Sequence, residues 1–372
     1  TGSSTLTDTL AMNNNIVTGN IFAGTGSFIC MDGGLSAGGA TLTGNQVTNN
    51  QKTGASGLFD GVTFTGSTTL TDTLTISNNT VTGNISNGTS TMSCINAGSS
   101  VSYLVSNNLV ANNTKTTATT GVFNGLLAGG STTSTIRMIF TGNTVRDNSI
   151  QGTSDVNLLY ATSAVNYSLT NNLVYNNTKS GASGSMYCTR TGGGSTSNIS
   201  YISNQVYNNS ITGTSGTTAV NLYGYYNVSS SLTEIFQNNQ FYNLSISGTN
   251  TNTTSKIIGL HTGTLVTSVK TISGNLVHSL TSNVTGAGAV TVTGIGHDYG
   301  ALSSRIYNNK IYNLTSSNSG TTAGIVNGIG LGIITATSAG NGAVYNNMIG
   351  DLKAPNSAST DAVRGISILQ TT

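Results

Sequence analysis

The side chains able to move protons are few in this sequence, and their spacing limits what they could do. His297-Asp298-Tyr299 stands in a glycine-flanked loop after Val290 to Ile295, and a histidine beside an aspartate is a pairing used in general acid and base catalysis. Adjacent residues on a strand point to opposite faces and loops collect polar residues in any case, so this trio is expected to be structural. Asp32 and Asp60 fall near the same strand of neighbouring repeats. There they could approach each other as a carboxylate pair, the arrangement used in acid and base catalysis or in calcium binding. Such sites need several charges on one face. The chain has only 10 carboxylates in 372 residues, Glu234 is the sole glutamate, and a solvated turn is the expected role of Asp32 and Asp60. Cys30, Cys94 and Cys188 show no CxxC or Cys/His spacing; their neighbours in Phe28-Ile29-Cys30 and Met92-Ser93-Cys94 mark them as small buried hydrophobes. Gly-rich segments lack the lysine and the strand-to-helix context of a phosphate loop. No catalytic residue, metal ligand or cofactor is expected.

What the chain has in abundance is asparagine at a regular spacing. Asn, any residue, then a bulky apolar residue recurs at Asn15, Asn45, Asn79, Asn108, Asn143, Asn172, Asn204, Asn239, Asn275, Asn309 and Asn347. The intervals run from 29 to 38 residues, the period of a solenoid in which each unit touches its neighbours. Charged residues make up 6% of the chain, a composition that in isolation reads as a disordered polar segment. The columns argue otherwise. Three residues before the anchors stand Met12, Leu42, Ile76, Val105, Phe140, Leu169, Tyr201, Phe236, Ile272, Ile306 and Val344, all large and apolar or aromatic. Four or five residues after them comes Asn or Asp in every unit but that of Asn275, which has Ser279.

Each unit divides into short strand-like runs, as Lys256 to His261, Val269 to Ile272 and Leu276 to Leu280 illustrate, with one proline in the whole chain and no helical period. Three short strands per coil make a triangular tube, and about eleven stacked coils align equivalent strands into three parallel sheets. Inward positions then stack like on like, as in Val17, Val47, Val81, Val110, Val145, Val174, Val206, Phe241, Val277, Ile311 and Ile349. The anchors sit where the chain turns sharply. Asn tolerates the left-handed backbone region and its amide both donates and accepts, so the anchors are expected to form an internal ladder joining each rung to those above and below.

The ladder, the three short strands and the coil length resemble the right-handed parallel β-helix of the pectin-lyase-like superfamily. That resemblance covers the whole chain and implies an all-β fold; it implies no single function, because the scaffold serves lyases, hydrolases, tailspikes and adhesins. Ile306-Tyr307-Asn308-Asn309-Lys310-Ile311-Tyr312-Asn313-Leu314 and Val344-Tyr345-Asn346-Asn347-Met348-Ile349 are similar to repeats in large secreted or surface proteins of Bacteroidetes exported by the type IX system.

Units before and after the boundary near residue 222 differ in kind. In residues 1–222 the fifth place after the anchor is Asn, as in Asn50, Asn113 and Asn177; in residues 223–372 it is Leu, at Leu244, Leu280, Leu314 and Leu352. One continuous solenoid of two repeat subtypes is expected, as a piece of a longer chain. Tyr175, Tyr207, Tyr242, His278 and Tyr312 share an outward column and predict an exposed aromatic stripe, suited to sugar rings or to another solenoid. Net charge is +2 with no basic cluster, which gives no footprint for nucleic acid, and no segment reads as a membrane span. The expected role is a non-enzymatic extracellular rod on a bacterial surface, a fibre, stalk or adhesin segment that associates with copies of itself. A polysaccharide-binding or polysaccharide-cleaving β-helix is the alternative.

Overall fold

The computed structural model describes residues 9–34, 39–64, 73–98, 100–116, 120–129, 137–192, 196–213, 218–227, 231–263, 268–298, 301–318, 324–332 and 342–368. Tyr299 lies outside the described residues. Among those described there is no helix, and the strands form three parallel sheets. The first sheet holds eleven strands, from Thr9–Asn13 to Gly342–Tyr345, and the third holds eleven, from Phe28–Asp32 to Val363–Ile368. Each strand pairs with its equivalent one coil away, so the chain is a parallel β-helix with an internal Asn ladder. The turns number about nine, slightly fewer than the eleven coils counted from the anchors.

The second sheet departs from three strands per coil. It contains eighteen strands, because the first seven coils contribute two short ones each and the last four contribute a single longer one. Thr144–Arg146 and Ser149–Gln151, for example, give way further on to the uninterrupted Gln240–Thr249. The cause is the residue five places after the anchor. Asn20, Asn50, Asn84, Asn113, Asn148, Asn177 and Asn209 build a second inward amide ladder, in which Asn113 Nδ2 donates to Asn148 Oδ1 at 3.0 Å and to the Val81 carbonyl at 2.9 Å. From Leu244 onward leucine occupies the place; Leu244, Leu280 and Leu314 are fully buried and the strand runs through. The two subtypes are thus an amide-cored and a leucine-cored version of one corner.

The corner geometry corrects the expected role of the anchors. The left-handed residue is the one before each anchor: Asn14, Asn78, Asn107, Asn171, Ser203, Asn238, Asn308 and Asn346 have φ between 52° and 58°, and glycine takes the place in the other coils. A second left-handed residue stands four places after the anchor, as in Asn49, Asn112, Asp147, Asn176, Asn208, Asn243, Ser279, Asn313 and Asp351. The mixed Asn/Asp column of the sequence therefore separates into a left-handed corner and, one residue on, the second ladder. The anchors supply hydrogen bonds instead. Asn143 Nδ2 donates to Asn172 Oδ1 and to the Val105 carbonyl, both at 2.9 Å, and its backbone N–H donates to the same Oδ1 at 3.1 Å. Its own Oδ1 accepts from Asn108 in the same way, so a buried amide that would otherwise be costly is satisfied on both sides.

Apolar columns fill the remaining interior. The valine column pairs in strict register, as in Val110↔Val145↔Val174↔Val206↔Phe241, and each fully buried member contributes about 1.5–3 kcal/mol. Where the third sheet passes closest to this column the interior tolerates only small side chains. A Cβ on Gly259 would lie 2.7 Å from both the Gly294 carbonyl and Val277 Cγ1. Cys94 sits at the place equivalent to Gly61 one rung earlier, between the pairs Ser93↔Asp60 and Ile95↔Val62, and all three cysteines are free thiols.

Candidate functional site

The structure brings the five residues of the outward stripe into one continuous stack. Tyr175 and Tyr207 lie 4.7 Å apart at 3°, Tyr207 and Tyr242 4.8 Å at 2°, Tyr242 and His278 5.0 Å at 6°, and His278 and Tyr312 4.9 Å at 2°. The rings are half-buried rather than fully exposed, because each covers the next. Burial pushes the Tyr207 and Tyr242 phenols above their ordinary range and holds His278 below its own. An outer amide row runs beside the rings: Asn208 Nδ2 donates to Asn176 Oδ1 at 3.1 Å and Asn243 Nδ2 to Asn208 Oδ1 at 2.9 Å. Faces turned toward one another leave edges and hydroxyls for a ligand. The stack therefore stiffens the sheet and offers a polar edge, and it is poorly shaped for laying a sugar face on an aromatic face.

A second aromatic cluster, which the sequence reading missed, occupies the outward face of the third sheet. Arg190 places its guanidinium 4.6 Å from the Tyr187 ring, 4.7 Å from Tyr160 and 5.7 Å from Tyr226, and donates to Asn157 Oδ1 at 3.3 Å. Tyr160, Arg190, Tyr226 and His261 are one register column, which the strand spacing alone could have revealed. His261 stacks on Tyr226 at 5.2 Å.

His297 and Asp298 point to opposite sides, and neither partners the other. Asp298 Oδ2 meets His261 Nε2 at 3.1 Å from the adjacent rung, while His297 Nδ1 meets Thr262 Oγ1 at 2.8 Å. The side chains of His261 and Asp298 are 0% and 3% exposed, so this His–Asp pair is closed to a polymer substrate. Burial, then the charges of Lys270 and His261, push His297 well below the ordinary imidazole value and keep it neutral.

The first sheet carries one ion pair inward. In the column Tyr167↔Ile199↔Glu234↔Lys270↔Ser304 an apolar run gives way to an ion pair, with Lys270 Nζ 3.1 Å from Glu234 Oε2. Asn227 Nδ2 donates to Glu234 Oε1 at 2.7 Å, and Lys270 also donates to the Gly263 carbonyl. All three side chains lie in the core, at 1% exposure or less. Burial raises the Glu234 carboxyl above its ordinary value against the opposing attraction of Lys270.

Three further lysines face inward on alternate rungs of the second sheet. In register Lys52↔Ser86↔Lys115↔Ile150↔Lys179, each ammonium donates to a turn carbonyl of the preceding rung: Lys52 to Gly24 at 3.2 Å, Lys115 to Gly88 at 3.3 Å and Lys179 to Gly152 at 2.9 Å. Burial lowers all three, Lys179 to about 8.

Asp32 and Asp60 do enter each other's field. Burial pushes the Asp60 carboxyl up, Ser93 opposes this by a hydrogen bond, and the Asp32 charge adds to the rise, while Asp32 Oδ1 closes a turn by accepting from the Gly34 N–H at 2.9 Å. Among the described residues no group of three or more His, Cys, Asp or Glu converges on a point that could hold a metal. No helix among them is long and apolar enough to cross a membrane. No known protein family matches the chain, and neither the curated proteins nor the solved structures contain a match.

Proposed function

We propose that the chain is a non-enzymatic extracellular rod, a structural or adhesive segment of a bacterial surface fibre, stalk or adhesin. One observation carries this reading. The groups with chemical potential, Glu234, Lys270, His261 and Asp298, are buried and engaged with one another, while hydrogen-bonded ladders and three parallel sheets continue from rung to rung. A nearly uncharged outer surface favours contact with copies of the same chain or with other modules of the same surface protein. The coil geometry and ladder support kinship with the pectin-lyase-like superfamily, and the Tyr-Asn-Asn phrases support an origin among secreted Bacteroidetes repeats exported by the type IX system. Electron microscopy of the purified protein tests the role. Rods lengthening by about 4.8 Å per added coil are expected, and globular particles would overturn it.

The Arg190 cluster favours glycan binding as the second reading, because a cation among partly exposed tyrosines suits an acidic sugar. Calorimetry with polygalacturonate distinguishes the two. Heat of binding that disappears in Arg190→Ala supports a glycan contact; turnover of the polymer would overturn the non-enzymatic reading.

A further inference from the structure

We propose that Lys270 and Asn227 become joined by an isopeptide bond that the protein forms itself, with Glu234 as proton carrier. The geometry is that of a single carboxyl bridging nucleophile and leaving group: Oε2 lies 3.1 Å from Lys270 Nζ and Oε1 lies 2.7 Å from Asn227 Nδ2. Glu234 takes a proton from the Lys270 ammonium and frees an amine whose lone pair forms the Nζ–Cγ bond with Asn227. The carboxyl hands that proton to Nδ2 and takes the second one from Nζ. The Cγ–Nδ2 bond then breaks with its electron pair on nitrogen, and ammonia leaves, taking up the last proton as ammonium. An ammonium and a primary amide thus become a secondary amide and an ammonium ion, Glu234 returns to carboxylate, and no oxidant or cofactor enters.

Burial serves each step. It keeps water from competing for the amide carbon and raises the proton affinity of the only glutamate in the chain. The other inward lysines serve as internal controls, since Lys52, Lys115 and Lys179 donate to turn carbonyls and have no glutamate beside them.

The location gives the bond a purpose. Asn227 follows the strand Asn221–Tyr226 of the third sheet, and Lys270 lies in Ser268–Ser273 of the first sheet, in register one rung beyond Glu234. Asn227 and Glu234 fall between Asn209, where the second amide ladder ends, and Leu244, where leucine begins. A covalent tie there secures successive coils where one hydrogen-bonded ladder stops, whatever the surface of the rod contacts.

Intact-mass spectrometry of the full chain tests this. The expected result is a protein lighter than its sequence by one ammonia, with a tryptic map containing the 191–256 peptide linked through Asn227 to Lys270. Glu234→Gln, Lys270→Arg and Asn227→Ala should each restore the full mass, with circular dichroism reporting that the fold is kept. If a variant does not fold, the linked peptide of the unaltered chain decides. A folded, unaltered chain of full mass overturns the proposal, as does an ammonia loss that persists in Lys270→Arg.

Discussion

Asn143→Ala is the sharpest probe of the ladder, because the bonds it breaks can be counted. The substitution leaves the Asn108 backbone N–H and one Asn108 Nδ2 hydrogen without the oxygen that accepted them, and it removes the donor to the Val105 carbonyl and the side-chain donor to Asn172 Oδ1, which keeps the backbone N–H of residue 143. Each stranded buried group costs about 1–3 kcal/mol, so the two donors and the carbonyl together cost about 3–9 kcal/mol. Asn15→Ala is the matched control. Asn15 is exposed, and among the described residues no earlier amide donates to its oxygen; alanine there keeps the backbone N–H bond to Asn45 Oδ1 and forfeits only the Asn15 Nδ2 bond to it, worth about 0.5–1.5 kcal/mol. Urea unfolding followed by far-ultraviolet circular dichroism reads both values. If the two variants fall within about 1 kcal/mol of each other, the buried ladder is not what holds the coils in register.

The remaining expectations concern titration, thiols and rings. Burial brings the folded-state pKa of Lys179 from the ordinary 10.5 to about 8, so between those values the unfolded chain binds the extra proton. Stability then rises with pH across that window, by about 3 kcal/mol in full, and the cost of the buried charge is complete below about pH 8. Lys179→Met should reduce the slope in pH-dependent urea titrations by that amount, leaving the part contributed by Lys52 and Lys115, which burial also lowers. Above pH 10 the buried phenols of Tyr103, Tyr167 and Tyr201, pushed up by burial, oppose the rise, since their stabilising effect is lost as they ionise. Cys94 and Cys188 are fully buried, and burial pushes the Cys30 thiol to about 12. Iodoacetamide near neutral pH should therefore label none of the three until denaturant is added, as counted by mass spectrometry. His278→Tyr should complete a five-tyrosine stack and raise the urea midpoint by an amount equivalent to about 0.5–1.5 kcal/mol.

Much of the fold was legible because a solenoid repeats its inward columns. The anchors, the residues three before them and the valine column all emerge from spacing alone, and the structure stacks them in register. The corners were harder. The sequence shows Asn-Asn doublets such as Asn78-Asn79 and Asn107-Asn108, yet composition does not say which member bends the backbone and which bonds to the next rung; glycine in that first place, as at Gly44, Gly142 and Gly274, was the available clue. The charged interior also left a trace. Glu234 and Lys270 stand five residues before their anchors, in a column that runs Leu74, Tyr103, Met138, Tyr167 and Ile199 before them and passes to Ser304 after them, and charges entering an apolar column identify a buried pair. What no spacing could supply is Asn227, whose approach to Glu234 depends on how the chain rounds the corner between the third and first sheets. His297-Asp298 misled for a related reason: proximity along the chain suggested one pair, while stacking of coils created another from His261 and Asp298.

The inner amides all face one way, each oxygen receiving its protons from the coil translated just before it. A growing polypeptide therefore completes the hydrogen bonding of every turn by making the next, and its newest turn alone keeps waiting donors. Assembly and elongation proceed in the same direction, so a nascent chain threading out of a narrow exit can wind up behind itself without needing its far end.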